Sequence, residues 1–120
     1  MSRYVDGFVI PIQKRKIAAY LRVAKLGGKV WMDHGALQYM ECVGDDLKAP
    51  FGISFPKLAK TKPGQTVVFS FIVYKSKKHR DAVNAKVMKD PRMAAMMDPK
   101  DMPMDCNRVA YGGFKPVVDL

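Results

Sequence analysis

The sequence is poor in the groups that small proteins use for cross-linking, metal binding or membrane insertion. Only two cysteines, Cys42 and Cys106, and two histidines occur among 120 residues, and no CxxC pair or paired His and Cys spacing is present. We therefore expect neither a disulfide framework nor a zinc site. No apolar run approaches the roughly 20 residues of a membrane-spanning helix, and no signal-peptide pattern precedes the first apolar segment. The expectation is a cytoplasmic protein in a reducing compartment, with no membrane partner.

An assembled catalytic or cofactor motif is also missing. Cys42 lies in a strand pattern, where a small buried thiol is the expected role. Cys106 follows an acidic, proline-broken loop that would not activate it as a nucleophile. Gly112-Gly113 is not followed by the helix and GK[ST] ending of a phosphate-binding loop. These absences predict no metal and no organic cofactor, and they leave open whether the protein is an enzyme.

The sequence does contain an ordered series of apolar patterns, which alternate as strand, helix, strand, strand, helix, strand. Strands are predicted at residues 4–12, 36–43, 66–74 and 108–118, and helices at residues 14–34 and 79–89. This order is typical of the α+β, ferredoxin-like βαββαβ fold. The length suits one domain, residues 1–120, with a core large enough to fold without cross-links.

Glycine and proline mark several boundaries within these patterns. Pro11 brings no backbone donor and is expected to end the hydrogen-bond ladder of the first strand. Gly27-Gly28 interrupts the first helix and predicts a kink or close packing there. Gly35 is expected in the left-handed position just past that helix. Gly112-Gly113 predicts a bulge or a close backbone approach in the last strand.

The predicted strand at 66–74 is apolar on both faces, since Val67 and Phe69 lie on one face and Val68 on the other. Two helices on one side of a four-stranded sheet leave its other side bare, so a second covering layer is expected. A second copy of the same sheet would supply it and predicts a homodimer. The long segment 45–63, which carries three prolines, is the alternative cover.

Polar side chains recur at every second position of the predicted strands. They are Tyr4 and Asp6, then Tyr39 and Glu41, then Ser70 and Tyr74, then Tyr111. Residues two apart share a face, so a floor of phenols and carboxylates would form beneath the helices if all four faces coincide. The candidate pocket residues are Tyr4, Asp6, Glu41 and Tyr111. A desolvated Asp6 or Glu41 could then act as a base. Because strand register is not encoded in one sequence, tyrosines packed in the core and carboxylates paired with lysines remain the alternative.

Five of the nine methionines fall between residues 93 and 104. They are Met93, Met96, Met97, Met102 and Met104. The preceding Asp90-Pro91 pair predicts a short helix over residues 92–97. Methionine fills irregular gaps and adaptable apolar surfaces, so we expect this segment to pack over a pocket mouth or a subunit seam. A metal-binding methionine cluster is the alternative, although no histidine neighbours it.

The most unusual feature of the composition is the net charge of +10, and the densest run of basic residues in the chain is 75–80. With Ser76 as N-cap, the cations of this run would occupy the first turn of a helix, where the helix dipole disfavours them. A bound anion would offset that cost, and a solvated surface turn is the alternative. The candidate anion-binding residues are Lys77, Lys78, His79 and Arg80.

The same charge raises a second class of function, a basic module that binds RNA or another polyanion. Specific RNA recognition usually adds exposed aromatic side chains that stack on bases. The aromatic residues of the strand at 66–74 are instead expected to pack in the core or in the dimer interface. No RNP-like motif occurs in the sequence. A pocket for a small molecule is therefore favoured over a nucleic-acid site.

Several segments together resemble one family. They are Tyr4-Val5-Asp6-Gly7-Phe8-Val9, Gly35-Ala36-Leu37, Val68-Phe69-Ser70-Phe71-Ile72, Asp90-Pro91-Arg92-Met93 and Arg108-Val109-Ala110-Tyr111-Gly112-Gly113-Phe114. In this order they resemble the DUF1428 family of small bacterial proteins. Membership implies a homodimeric, ferredoxin-like dimeric α/β barrel and no established activity, so it narrows function little. Lys77-Lys78-His79 stands where an acidic residue is common in that family, so an anion site there would be particular to this protein.

Overall fold

The structure is a computed structural model that describes residues 2–96, 98 and 101–120. Its strands are β1 Tyr4–Gln13, β2 Gln38–Val43, β3 Gln65–Tyr74 and β4 Ala110–Phe114. Its α-helices are α1 Ile17–Asp33, α2 Phe55–Ala59, α3 Lys77–Lys89 and α4 Pro91–Met96. Short 3₁₀ turns at Lys14–Lys16 and Cys106–Arg108 precede α1 and β4. Within the described residues, no helix is long and apolar enough to cross a bilayer.

The four strands form one antiparallel sheet in the order β2-β3-β1-β4. The long strands β1 and β3 lie in the centre and pair along their whole length, from Tyr4 opposite Tyr74 to Gln13 opposite Gln65. Strand β2 flanks β3, and β4 flanks β1. This arrangement confirms the predicted α+β, ferredoxin-like βαββαβ order.

Helices α1 and α3 cover one face of the sheet through two separate apolar clusters. In the first, Val83 and Val87 of α3 pack with Ile72 and Tyr74 of β3. In the second, α1 packs against the other end of the sheet, where its Tyr20 and Ala24 join Ile10, Ile12 and Val68. Because the core is divided in this way, the space between the clusters is available for a cavity.

Two predictions about the strands are wrong. Strand β1 does not end at Pro11 but continues to Gln13, because β4 pairs with β1 only as far as Val9 and leaves this stretch of β1 as an edge. The last strand covers Ala110–Phe114 and not residues 108–118. At its start, the guanidinium of Arg108 donates hydrogen bonds to backbone carbonyls of the α2 segment. At its end, Pro116 lacks the amide that a longer ladder would need.

The sheet face opposite α1 and α3 is covered in part by the long segment between β2 and β3. Helix α2 begins after Ser54, whose hydroxyl accepts a hydrogen bond from the Lys57 amide, and it packs against β1 and β3. Phe55 lies edge-on to Phe69 with the ring centroids 6.3 Å apart. Phe69 nevertheless keeps 43% of its surface exposed, and Phe114 on the same face keeps 62%. The segment 45–63 therefore covers this sheet face only in part, and the homodimer stays a prediction.

The predicted helix boundaries agree with the structure at the positions that carry a chemical signal. Ser76 caps α3, since its hydroxyl accepts a hydrogen bond from the His79 amide at 3.0 Å. Asp90 precedes α4 and accepts from the Arg92 amide at 2.9 Å. Gly35 has a φ of +109°, the left-handed conformation expected just past α1.

Candidate functional site

The register of the sheet brings the predicted polar residues onto one face. Asp6 lies opposite Ile72 and Gly113, and Phe8 lies opposite Ser70 and Tyr111. On the far strand, Tyr39 lies opposite Ile72 and Glu41 opposite Ser70. Cross-strand partners share a face, so all four polar faces coincide beneath α1 and α3. They comprise Tyr4, Asp6, Tyr39, Glu41, Ser70, Tyr74 and Tyr111.

A cavity of about 560 Å³ lies between this face and the helices. Three of the four candidate pocket residues, Asp6, Glu41 and Tyr111, line it. Most of the remaining wall is apolar and comes from both core clusters and from the methionine-rich segment. The methionines that line it are Met88, Met93, Met96, Met102 and Met104. Met97, which belongs to the predicted cluster, lies outside the described residues.

Glu41 is held between two phenols at the β2 side of the cavity. Its Oε1 accepts a hydrogen bond from the Tyr20 hydroxyl at 2.7 Å, and its Oε2 accepts from the Tyr39 hydroxyl at 2.5 Å. Burial, followed by the hydrogen bond to Glu41, raises the pKa of both tyrosines. Both phenols therefore remain protonated donors at neutral pH. These two hydrogen bonds use one lone pair on each carboxylate oxygen, and the second lone pair of each can accept from a further donor.

Asp6 is buried, with 6% of its surface exposed, and is paired with a cation from α3. Arg80 donates from Nη1 to Asp6 at 2.8 Å and from Nε to Asp81 at 2.8 Å. The Arg80 guanidinium also stacks on the ring of Tyr4, 4.9 Å from its centroid. Tyr4 therefore contributes to the site by positioning Arg80 and does not line the cavity directly.

The predicted close approach of backbone in the last strand occurs at Gly113. A Cβ added there would overlap the Tyr4 hydroxyl group and ring, so the position of the Tyr4 ring requires glycine here. The pairing of β1 with β4 is regular through both glycines, and no bulge forms. Nearby, Tyr111 stacks on Phe8 with ring centroids 6.0 Å apart and is 77% exposed, which places it at the mouth of the cavity.

Three further polar residues line the cavity, namely Tyr20, Arg80 and Asn84. The alternation of side chains along the strands does not reveal them as part of the site, because they belong to helices. Asn84 of α3 accepts hydrogen bonds through Oδ1 from the Trp31 indole at 3.0 Å and from the Tyr74 hydroxyl at 3.2 Å. A tyrosine inside the apolar stripe of α1 was the one available signal, because a buried phenol needs a hydrogen-bond partner.

The structure separates the four candidate anion-binding residues. Lys77 and Lys78 are exposed on the first turn of α3. His79 accepts a hydrogen bond through Nδ1 from the Lys75 amide at 3.0 Å, and Arg80 is directed to Asp6. The run is therefore not one cationic surface. Anion or RNA binding through Lys77 and Lys78 stays a prediction.

A group of ion pairs fixes the methionine-bearing helix α4 to the end of α1. Asp90 contacts His34 Nε2 at 2.8 Å and Arg92 Nη2 at 2.9 Å, and Arg92 also reaches Asp33. Hydrogen bonds from Arg92 and then His34 hold the pKa of Asp90 well below its usual range. The carboxylate therefore stays ionised and keeps Met93 and its neighbours over the cavity.

The two cysteines occupy different surroundings. Cys42 is half-buried on β2, and Cys106 is exposed at the edge of the cavity. In the described part of the chain, no group of three or more His, Cys, Asp or Glu side chains could hold a metal ion.

Comparisons with known proteins identify relatives along the whole chain. Residues 3–106 match the family described as "Protein of unknown function (DUF1428)". The "Uncharacterized protein YbaA" of Escherichia coli strain K12 is 38% identical over 117 residues, covering 98% of each chain, and the protein of that name from Shigella flexneri is equally similar.

Solved structures show the same fold at low sequence identity. A nipsnap family protein of unknown function from Agrobacterium tumefaciens superposes with a TM-score of 0.57 at 16% identity, over 95% of this chain and 87% of the other. A dimeric ferredoxin-like protein from an uncultured marine organism gives 0.56 at 11% identity, over 100% of both chains. These similarities support the ferredoxin-like α+β fold. The family match and the YbaA relatives go further, and they show that the chain belongs to the DUF1428 family, whose function is unknown.

Proposed function

We propose that the protein binds a small, mostly apolar molecule in the cavity between the sheet and helices α1 and α3. The observation that carries this proposal is the convergence of Asp6, Glu41 and Tyr111 on one cavity of about 560 Å³. A few hundred cubic ångströms of apolar wall with a few convergent polar groups is the usual form of a ligand site. The methionines supply a wall that adapts to the shape of its occupant.

If the bound molecule is transformed, Glu41 is the better placed proton acceptor. Asp6 is engaged by the Arg80 guanidinium, whereas Glu41 is held only by phenol donors among its recorded partners. Among the described residues, neither carboxylate forms the surface salt bridge with lysine that would argue against a role in the cavity. The proposal for the protein as a whole is binding, with Glu41 as its candidate base.

Filling the cavity from α1 tests the proposal. Gly27 lines the cavity, and the nearest atom to a Cβ added there is Trp31 Cζ3 at 3.8 Å. The Cβ of Gly27→Leu therefore fits without a clash, and the rest of the side chain should occupy part of the cavity, while helix propensity improves by up to about 1 kcal/mol. We expect 4-phenylbutan-1-ol to bind the natural protein and to lose at least about tenfold in affinity in the variant, because its space is occupied. The chain's single tryptophan, Trp31, lines the cavity, so its indole N–H resonance reports the titration.

Ala18→Leu is the matched control, because Ala18 lies on the exposed side of the same helix. It should leave the affinity for the alcohol unchanged. Equal affinity in the natural protein and Gly27→Leu would contradict the proposal, as would the absence of any shift of the Trp31 resonance.

We also propose that the protein is a homodimer that associates through the sheet face opposite α1 and α3. The support is the exposed apolar surface that α2 leaves uncovered, including Met40, Phe69 and Phe114. One of the similar structures is itself described as a dimeric ferredoxin-like protein.

Light scattering after size exclusion should give a mass near twice 13.5 kDa. Phe69→Lys or Phe71→Lys should yield monomers or insoluble protein, because a buried, unpaired charge costs several kcal/mol, about 3 or more. Leu26→Lys is the control, since Leu26 is exposed on α1, away from this face, and should remain dimeric. A natural protein that is monomeric at micromolar concentration would overturn the proposal.

A further inference from the structure

We infer that the ligand of the cavity is an organic cation, a protonated amine on an apolar body, with its ammonium group in contact with Glu41. This inference rests on the proposed binding function and adds the chemical class of the ligand. The chain as a whole carries a net charge of +10, whereas the charge of the cavity wall has the opposite sign.

The charged side chains among the described residues that line the cavity are Asp6, Glu41 and Arg80. Two of these charges cancel, because Arg80 and Asp6 are paired at 2.8 Å. The guanidinium is further engaged by Asp81. Glu41 is left as the uncompensated charge, so the described wall is net negative although the surface of the protein is strongly positive.

The partners of Glu41 stabilise its charge without neutralising it. Each of its oxygens accepts a hydrogen bond from one neutral phenol, Tyr20 or Tyr39. No lysine, arginine or histidine in the described residues lies within ion-pair distance of Glu41. An ammonium group could therefore use the remaining lone pairs and supply the missing positive charge.

Two basic side chains, Arg22 and Lys25, share a different cleft with this carboxylate. Arg22 and Lys25 line a separate cleft between α1 and β2, of which Tyr39 and Glu41 form the inner wall. Both basic side chains are exposed, and neither forms an ion pair with Glu41, so solvent and salt weaken their effect on it. A ligand ammonium inside the cavity would instead touch Glu41 directly.

The rest of the wall also suits a cation with an apolar body. The aromatic rings of Trp31 and Tyr39 both line the cavity, with centroids 6.2 Å apart, and Tyr39 contacts Glu41. Aromatic faces attract ammonium groups, and the thioethers of the methionines that line the cavity suit packing against aliphatic or aromatic carbon. An anionic ligand would meet Glu41 with a like charge, and its binding is disfavoured for that reason.

A series of matched ligands tests the inference in the natural protein. 4-Phenylbutylamine, 4-phenylbutan-1-ol and 4-phenylbutanoate share one apolar body and differ in the charge of the polar end. Titrations followed by the Trp31 indole resonance should show the amine binding at least about tenfold more tightly than the alcohol, as a charge-assisted hydrogen bond predicts. The carboxylate should bind more weakly than the alcohol.

Glu41→Gln then assigns the preference to one residue, because the amide retains an acceptor and a similar shape while it loses the charge. In this variant the amine should fall to within about threefold of the alcohol, whose affinity is unchanged. Asp46→Asn is the charge-matched control. It removes one negative charge from an exposed loop position outside the cavity and should leave the preference intact.

The outcomes separate this inference from the proposed function. If the alcohol binds the natural protein as tightly as the amine or more tightly, the inference that the ligand is an organic cation is wrong. The proposed binding of an apolar molecule is then still supported. A preference for the amine that survives in Glu41→Gln overturns the role of Glu41. Failure of all three ligands to bind would overturn the proposed function as well. The comparison within the natural protein holds even if the variant does not fold.

Discussion

Arg80→Ala is expected to lower the free energy of unfolding by about 3 kcal/mol or more, the usual cost of removing one partner from a buried ion pair. Asp6 is 6% exposed, and its recorded ion-pair partner is Arg80. Alanine would leave a carboxylate charge in the interior without a cation, and it would also remove the guanidinium from the ring of Tyr4. Urea unfolding at fixed protein concentration, monitored by Trp31 fluorescence, measures the change.

Two comparisons separate the contribution of the Arg80–Asp6 pair from a general effect of charge. Lys78→Ala removes one positive charge two residues away on the exposed side of α3, and its effect should stay within about 0.5 kcal/mol. Asp6→Asn combined with Arg80→Ala should recover much of the loss, because no charge is then left unpaired. Equal losses in Arg80→Ala and Lys78→Ala would show that the pair does not stabilise the fold.

The position of Arg80 also illustrates what could be predicted from the sequence. The basic run at 75–80 and the N-cap at Ser76 were both visible in the residue order, and the cap is confirmed. The direction of each side chain depends on the turn of α3 and on what the sheet presents to it. Arg80 lies on the buried side and meets Asp6, which is 74 residues away in sequence. A local pattern carries no information about such a partner.

The candidate pocket residues illustrate which part of a site a strand pattern can predict. Alternation within a strand fixes which residues share a face, and it grouped Tyr4 with Asp6 and Tyr39 with Glu41. Whether these faces coincide is decided by the register of neighbouring strands, and a slip of one residue would have turned a whole strand over. The structure supplies that register, and it supplies the helical residue Tyr20, which completes the environment of Glu41.

The segment between β2 and β3 was the least predictable part of the fold. Its prolines and glycines indicated a long excursion, and the sequence offered it as one of two covers for the open sheet face. A helix of five residues, Phe55–Ala59, is too short for apolar periodicity to reveal. Its stability comes from the cap at Ser54 and from contacts with β1 and β3, which are tertiary in origin.

Gly28→Ala is expected to lower the free energy of unfolding by about 1–3 kcal/mol, as overpacking of a filled interior does. The sequence predicted a kink or close packing at Gly27-Gly28, and α1 runs unbroken through both residues. A Cβ added at Gly28 would stand 2.7 Å from two ring carbons of Tyr39. Relief of that contact must shift the ring, and the shift breaks or lengthens the hydrogen bond from Tyr39 to Glu41. Thermal and urea unfolding measure the stability change.

The neighbouring Gly27→Ala provides the matched control, because it makes the same chemical change in the same helix. A Cβ at Gly27 meets only Trp31 Cζ3, at 3.8 Å, so this variant should gain up to about 1 kcal/mol from helix propensity. Opposite signs at adjacent glycines would therefore locate the effect in the contact with Tyr39 and not in the flexibility of α1. The two variants should also differ in ligand binding, since displacement of Tyr39 leaves Glu41 with one phenol donor. Stabilisation by both substitutions would show that the Tyr39 ring moves freely and that the geometry around Glu41 does not depend on glycine at position 28.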